Sequence, residues 1–108
     1  MGIIAEIQAE QAAWATRNFG PKNSTDDLLG VTEEMGELAH AHLKRSQGIR
    51  HDTAEYEAKA KDAIGDIVIY LMGYCSAEGW DVEHIVKTTW DTVKHRDWKA
   101  FPKNGLTE

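Results

Sequence analysis

The sequence contains little cysteine and no long apolar run. Cys75 is the only cysteine in 108 residues, so no disulfide can form within the chain, which suits a reducing cytoplasm. The longest uncharged apolar stretch, residues 67–75, is too short for the roughly 20 residues that a membrane-spanning helix needs. No basic region precedes an apolar block near the N-terminus. We therefore expect a cytoplasmic protein without a signal peptide or membrane partner.

Basic residues are also scarce. Twelve lysines and arginines stand against 18 acids, which gives a net charge of -6. Nucleic acids and anionic membranes attract basic surfaces, so this charge argues against both as partners. It does not exclude free nucleotides, because a bound metal ion neutralises phosphate charge. Hydrophobic residues at 42% and charged residues at 28% are typical of a soluble globular chain, and we assign residues 1–108 to one domain.

Helical periodicity predicts four helices. Apolar residues recur at spacings of three and four, and glycines or capping residues separate the segments. The predicted helices cover about residues 3–18, 24–46 and 53–77, and a fourth follows Asp81. Ser24 and Thr25 are expected to cap the second helix, Asp52 the third and Asp81 the fourth. Four helices joined by short loops predict an all-α bundle.

The apolar residues of the second and third helices predict where the core lies. In the second helix one predicted apolar face consists of Leu28, Val31, Met35, Leu38, Ala39 and Leu43. The third helix carries no charge from Ile67 to Cys75 and is apolar on nearly every side. Three small neighbouring helices cannot cover it. We therefore expect a second copy of the chain to complete the core in a dimer.

Five acids stand at helical spacing in these two helices. They are Glu33, Glu34 and Glu37 in the second helix and Asp62 and Asp66 in the third. Asp66 has core residues as neighbours, and burying an unpaired carboxylate is costly. Carboxylate oxygens gathered at one point are the ligands that Mg²⁺ or Mn²⁺ takes. The alternative is a solvated face whose aspartates are paired with lysines such as Lys59 or Lys61.

Two other interpretations remain open. His40 follows Glu37 by three residues, the Glu-x-x-His spacing of di-iron helical bundles, and Asp81 and His84 repeat that spacing. A carboxylate-bridged iron site needs a second copy of the motif on a facing helix, and Asp81 stands at a helix start. The remaining alternative is a non-catalytic helical dimerisation module.

The two acidic motifs carry a resemblance. Glu33-Glu34-Met35-Gly36-Glu37, followed after 24 residues by Asp62-Ala63-Ile64-Gly65-Asp66, resembles the signature of MazG-like all-α nucleoside triphosphate pyrophosphohydrolases. The likeness also includes residues 14–19, 96–98 and 101–105. It implies a MazG-like four-helix bundle that works as a homodimer or a dimer of dimers. The implied activity is Mg²⁺-dependent hydrolysis of (deoxy)nucleoside triphosphates to monophosphate and pyrophosphate, in nucleotide-pool house-cleaning.

The resemblance also implies a metal site. By it, Glu34, Glu37 and Asp66 are Mg²⁺ ligands, with Mn²⁺ as a substitute ion. The second family motif has Glu where this chain has Ala63. We expect Asp62, one residue earlier and one turn from Asp66, to take over that role.

The remaining site residues are expected to act on water and substrate. Glu33 is the candidate base, as a carboxylate not used for metal binding. Trp98, near Arg96, is the aromatic residue expected to stack on a base, whereas Trp14, Phe19, Trp80 and Trp90 are expected mostly in core or dimer contacts. The substrate-binding residues predicted near the C-terminus are Lys94, Arg96, Trp98 and Lys103.

Overall fold

The structure is a computed structural model that describes residues 2–21 and 23–107, so three positions of the predicted domain lie outside the described residues. Within those ranges the chain is all-α and forms no strand. The helices are α1 Ile3–Phe19, α2 Ser24–Gln47, α3 Thr53–Glu78 and α4 Val82–Val93. The prediction of an all-α chain with four helices is confirmed. No helix in the described ranges is long and apolar enough to cross a membrane.

Polar caps and glycines set the helix ends. Asp52 caps α3 and Asp81 caps α4, as predicted, each accepting a hydrogen bond from a backbone N–H of the first turn. The cap of α2 differs from the prediction. Asn23, not Ser24, accepts the hydrogen bonds, from two backbone N–H groups at 2.9 and 3.3 Å. Gly48, in the left-handed conformation with φ 70°, then ends α2.

α2 and α3 form an antiparallel hairpin joined by the loop 48–52. Gly30, early in α2, lies against Tyr70, late in α3. Arg45, at the other end of α2, lies 3.9 Å from the ring centroid of Tyr56, early in α3. This reversed order of contacts is that of an αα-hairpin.

The face of α2 that meets α3 agrees only in part with the predicted one, since Val31 and Leu38 are half-buried but the other predicted residues are exposed. Small residues hold this interface, because Gly30 is buried and Ala41 is only 1% exposed. Leu28, Met35 and Leu43, all assigned to the predicted apolar face, are 51%, 50% and 50% exposed. Small side chains allow two helices to approach closely, and this packing leaves the larger apolar residues on the side of the hairpin.

A matching apolar stripe is exposed on α3. Ile64, Val68 and Leu71 follow a four-three spacing and are 51%, 37% and 41% exposed. Ile64 and Val68 come two residues after Asp62 and Asp66, which places them about 200° further round the helix. The stripe therefore points away from the acids.

The same relation holds on α2, where Met35 follows Glu33 by two residues. The exposed apolar residues of both helices thus share the side of the hairpin opposite the acids. We call this surface the apolar flank, and it consists of Leu28, Met35, Ile64, Val68 and Leu71.

Gln8 fastens α1 to the end of α3 and the start of α4. Its side chain is buried, at 8% exposure. The amide Nε2 donates to Ser76 Oγ at 3.0 Å and to the Trp80 carbonyl at 2.9 Å, and Oε1 accepts from the Val82 N–H at 3.0 Å. These bonds satisfy a buried polar group completely and fix α1 across α3.

The single chain is less compact than its length predicts. Its radius of gyration is 17.5 Å, whereas a compact domain of this length has about 13 Å. Its accessible surface is 7928 Å², against roughly 6,000 Å² for a globular monomer of this mass. α4 contacts α1 and α3 but not α2. Much apolar surface is therefore left uncovered in one copy.

Candidate functional site

The five acids predicted from sequence lie together on one side of the α2–α3 hairpin. The pKa of Glu34 is raised, first by partial desolvation and then by four charges. Those charges are, in order of effect, Asp66, Glu33, Glu37 and Asp62. Neighbouring carboxylates have such an effect only at short range. The fold therefore brings both acidic motifs to one place around Glu34.

A polar cavity of about 350 Å³ opens at these acids. Glu33 is exposed and does not line it, whereas the other four acids do. The nitrogen-bearing side chains that line it are His40, His51 and Lys59. We call this space the histidine cavity.

Ala63 lines the histidine cavity at the position where the motif that the sequence resembles has a glutamate. Its side chain is 2% exposed, and Ala41 of α2, at 1%, lines the same cavity. A longer side chain at position 63 would have to displace its neighbours or extend into the cavity. Asp62, one residue earlier, is exposed and lines the cavity. The Asp62 carboxylate therefore shares this cavity with Glu34, Glu37 and Asp66.

An aromatic cavity of about 430 Å³ lies on the other side of Glu34 and Asp66, which line both spaces. Trp14 and Phe19 of α1 line it, with ring centroids 5.5 Å apart and planes at 80°. Tyr70 of α3 lines it as well. Flat apolar surfaces of this kind accept a nucleobase or another planar ring.

Tyr70 lies where the aromatic cavity meets the acids. Burial raises the pKa of its phenol, and four carboxylates add to the rise. These are, in order of effect, Glu33, Glu34, Asp66 and Asp27. The hydroxyl therefore remains protonated at neutral pH and can donate a hydrogen bond beside the acidic cluster.

The C-terminal residues predicted to bind substrate are placed elsewhere in the single chain. Lys94, Arg96, Trp98 and Lys103 line neither of these two cavities. Lys94 Nζ pairs with Asp91 at 3.2 Å, and the Arg96 guanidinium lies 5.6 Å from the Trp98 ring centroid. Their role in substrate binding stays a prediction.

The acidic cluster fits a loosely held divalent cation. In the part of the chain that the structure describes, no three His, Cys, Asp or Glu side chains are gathered closely enough to enclose a metal ion. Mg²⁺ does not require such a cage, because it keeps several waters and usually binds one or two carboxylates and the substrate phosphates. Glu34, Glu37, Asp62 and Asp66 offer oxygen ligands around one open space.

Asp81 and His84, the second Glu-x-x-His-like pair, do not belong to the acidic cluster. Glu37 and His40 both line the histidine cavity. Asp81, however, caps α4, and its carboxylate accepts the His84 backbone N–H at 3.3 Å. Neither Asp81 nor His84 lines either of the two cavities.

Sequence reasoning missed the two cavities, although one signal for each was present. Tyr70 follows Asp66 by four residues, so it continues the acidic stripe of α3. Lys59 precedes Asp62 by three residues and begins the same stripe. The positions of Trp14 and Phe19 depend on how α1 crosses α3, which no local pattern reveals.

Comparisons of the chain with protein-family profiles, with curated proteins and with solved structures found no match. Any functional assignment therefore rests on the residues and cavities themselves.

Proposed function

We propose that this chain is a Mg²⁺-dependent nucleoside triphosphate pyrophosphohydrolase of the MazG-like type. One observation carries the proposal: carboxylates from two helices surround Glu34 at the junction of an aromatic cavity and a polar cavity. A nucleotide likewise has an aromatic end, the planar base, and a charged end, the phosphates. The proposed role is the removal of non-standard or surplus (deoxy)nucleotides in the cytoplasm.

The proposed reaction adds one water across the bridge between the α and β phosphates. The water oxygen bonds to phosphorus, the bridging P–O bond breaks, and the products are a nucleoside monophosphate and pyrophosphate. Glu33 lies outside both cavities but close enough to act on Glu34 electrostatically, and we assign it to accept the proton of the water. Mg²⁺, or Mn²⁺ in its place, supplies charge neutralisation on the phosphate oxygens when bound by Glu34, Glu37 and Asp66.

We also propose that the working form is a homodimer or a dimer of dimers. The chain exposes 7928 Å², roughly 1,900 Å² more than a compact monomer of its mass. A standard interface covers about 800 Å² per partner, and obligate dimers cover more. The apolar flank is the surface that we assign to the second copy, because it lies opposite the acids and leaves both cavities open.

The experiment that tests the activity is pyrophosphate release from a panel of standard and modified nucleoside triphosphates, with and without Mg²⁺. We expect turnover of at least one substrate with the metal and none in excess EDTA. Asp66→Asn keeps the shape of the side chain and should abolish turnover. Glu78→Gln, at the exposed end of α3, is the matched control and should keep it. A folded protein that releases no pyrophosphate from any substrate would refute the proposal.

A further inference from the structure

The two cavities differ in chemistry but meet at the same two carboxylates. Glu34 and Asp66 line both the aromatic cavity and the histidine cavity. The aromatic cavity is walled by Trp14, Phe19 and Tyr70. A ligand that spans the two spaces therefore passes Glu34 and Asp66 at its middle. The chemistry of each end decides which way round the ligand lies.

Most nitrogen groups of the histidine cavity have no hydrogen-bond or ion-pair partner in the described chain. Lys59 forms no hydrogen bond or ion pair with any residue that the structure describes, although four carboxylates line the same space. His51 Nδ1 is buried without a hydrogen-bond partner in the described chain, and the nearest carboxylate oxygen, of Glu55, is 3.7 Å away. The His40 ring lies 6.4 Å from the His51 ring, between centroids. Lys59, His40 and the Nε2 atom of His51 thus have donors left for a ligand.

The backbone holds His51 over the cavity at some cost. Arg50, immediately before it, has a positive φ of 69°. It is the only non-glycine residue with a positive φ in the described ranges. Such a conformation costs of order 1 kcal/mol or more and persists where the surrounding structure fixes it. A loop of five residues between two long helices here presents its histidine to the acids.

We infer that the histidine cavity binds the terminal diphosphate of the substrate, with Lys59, His40 and His51 as its donors. This assignment rests on the proposed function. It places the base in the aromatic cavity and the bond to be broken beside Glu34 and Asp66. The chemical class of ligand is any compound with an unesterified pyrophosphate end, and inorganic pyrophosphate is its smallest member.

The reverse orientation fits the two cavities poorly. It would place two phosphates against Trp14, Phe19 and Ile69, with the carboxylates of Asp26 and Asp27 as the charged groups. Phosphate oxygens gain most from cationic N–H donors. It would also place a planar base among four carboxylates and an ammonium group, where the imidazoles are the only rings and no Trp, Phe or Tyr lines the space. Lys59 and the two imidazoles, together with the cation held by the acids, offset the phosphate charge in the assigned orientation.

The test measures the binding of each end of the substrate on its own, by titration calorimetry in the presence of Mg²⁺. One titrant is inorganic pyrophosphate and the other is each of the four deoxynucleoside monophosphates. Lys59→Met should weaken pyrophosphate binding by about 10-fold to 100-fold, the effect of one charge-assisted hydrogen bond. It should change the affinity for the monophosphate that binds best by less than about twofold. Lys61→Met is the matched control, because Lys61 is 79% exposed and does not line the cavity.

A second variant, His40→Gln, shows whether a loss of binding in Lys59→Met comes from a disturbed fold rather than from the missing ammonium group. His40 is exposed, so the fold should tolerate the change, and it too should weaken pyrophosphate binding selectively. Unchanged pyrophosphate affinity in both variants, equal losses for both titrants, or no pyrophosphate binding by the wild-type chain would overturn the inference. Selective binding without hydrolysis of any triphosphate would instead support the cavity assignment and remove the proposed activity.

Discussion

The ring of Tyr70 lies directly against the backbone of Gly30. A Cβ atom built at Gly30 would lie 2.5 Å from Cδ1 and 2.6 Å from Cζ of the Tyr70 ring. No real side chain could occupy that space without moving the ring. The absence of a side chain at position 30 therefore allows α2 and α3 to approach closely, and the same contact holds Tyr70 between the acids and the aromatic cavity.

Gly30→Ala should destabilise the protein although alanine is the better helix former. The gain in helix propensity is about 1 kcal/mol, and the forced displacement of the Tyr70 ring exceeds it. We expect a net loss of about 1 to 3 kcal/mol in the free energy of unfolding, measured by chemical denaturation. Gly36→Ala is the control, because nothing lies within 4 Å of a Cβ at Gly36, and it should be neutral or stabilising. Equal effects of the two substitutions would contradict the close contact.

Glu34 should make the metal-free protein less stable as pH rises. Its folded pKa lies above the ordinary value of 4.5. The folded state therefore binds more protons than the unfolded state between the two values, and the free energy of unfolding falls as pH rises through that window. Above the window the penalty is fully present. Glu34→Gln removes it, so the metal-free variant should melt at a higher temperature than wild type at about pH 7, and the difference should vanish below about pH 4.

Mg²⁺ should reverse that difference. The ion offsets the repulsion among the carboxylates in wild type, so it should raise the melting temperature of wild type more than that of Glu34→Gln. Glu10→Gln, on the exposed side of α1, serves as the control and should show no such pH or metal dependence. The assignment fails if Glu34→Gln melts below wild type at neutral pH without metal.

The helices could be predicted because their signals are local. Asp52 and Asp81 cap the helices that they were expected to cap, and Gly48 and Gly79 end α2 and α3 in the left-handed conformation. The two acidic motifs were located for a similar reason. Acids separated by three or four residues share one face of a helix wherever that helix lies.

The packing of α2 could not be predicted from hydropathy. Leu28 and Met35 suggested one buried face, but Gly30 and Ala41 form the contact with α3. Small residues contribute little to an apolar pattern, yet they decide how closely two helices approach. The aromatic cavity was missed because it depends on contacts between residues that are far apart in the sequence. It forms because Gln8 ties α1 across α3, 68 residues or more away along the chain.

Ala63→Glu, which introduces the glutamate of the motif that the sequence resembles, should destabilise the metal-free protein. Ala63 is 2% exposed and lines the histidine cavity, so a glutamate there must displace its neighbours or add a fifth carboxylate to a space that four acids already line. We expect the metal-free variant to lose about 1 to 3 kcal/mol in the free energy of unfolding. Ala58→Glu, on an exposed position of the same helix, should change it by less than about 0.5 kcal/mol. A fully stable Ala63→Glu protein would contradict the close packing and the charge crowding at position 63.

Val68→Lys should separate the proposed dimer. Val68 lies near the middle of the apolar flank, and a lysine there would carry a charge into the interface. In sedimentation velocity at micromolar concentration we expect wild type to run as a dimer or tetramer and Val68→Lys as a smaller species. Ala58→Lys adds the same charge at an exposed position outside the flank and should leave the assembly intact. A wild-type chain that is monomeric would contradict the proposed assembly.

Trp14→Leu distinguishes the aromatic cavity from the C-terminal tail as the binding site of the base. Stacking on one aromatic side chain contributes about 1 to 3 kcal/mol per base, so the loss should weaken binding of a nucleoside monophosphate by about 10-fold to 100-fold. Inorganic pyrophosphate carries no base, and its affinity should not change. Trp90→Leu, on α4 and outside both cavities, is the control. Trp98→Leu tests the competing prediction: if it reproduces the selective loss and Trp14→Leu does not, the base binds at the tail and the aromatic cavity has another use.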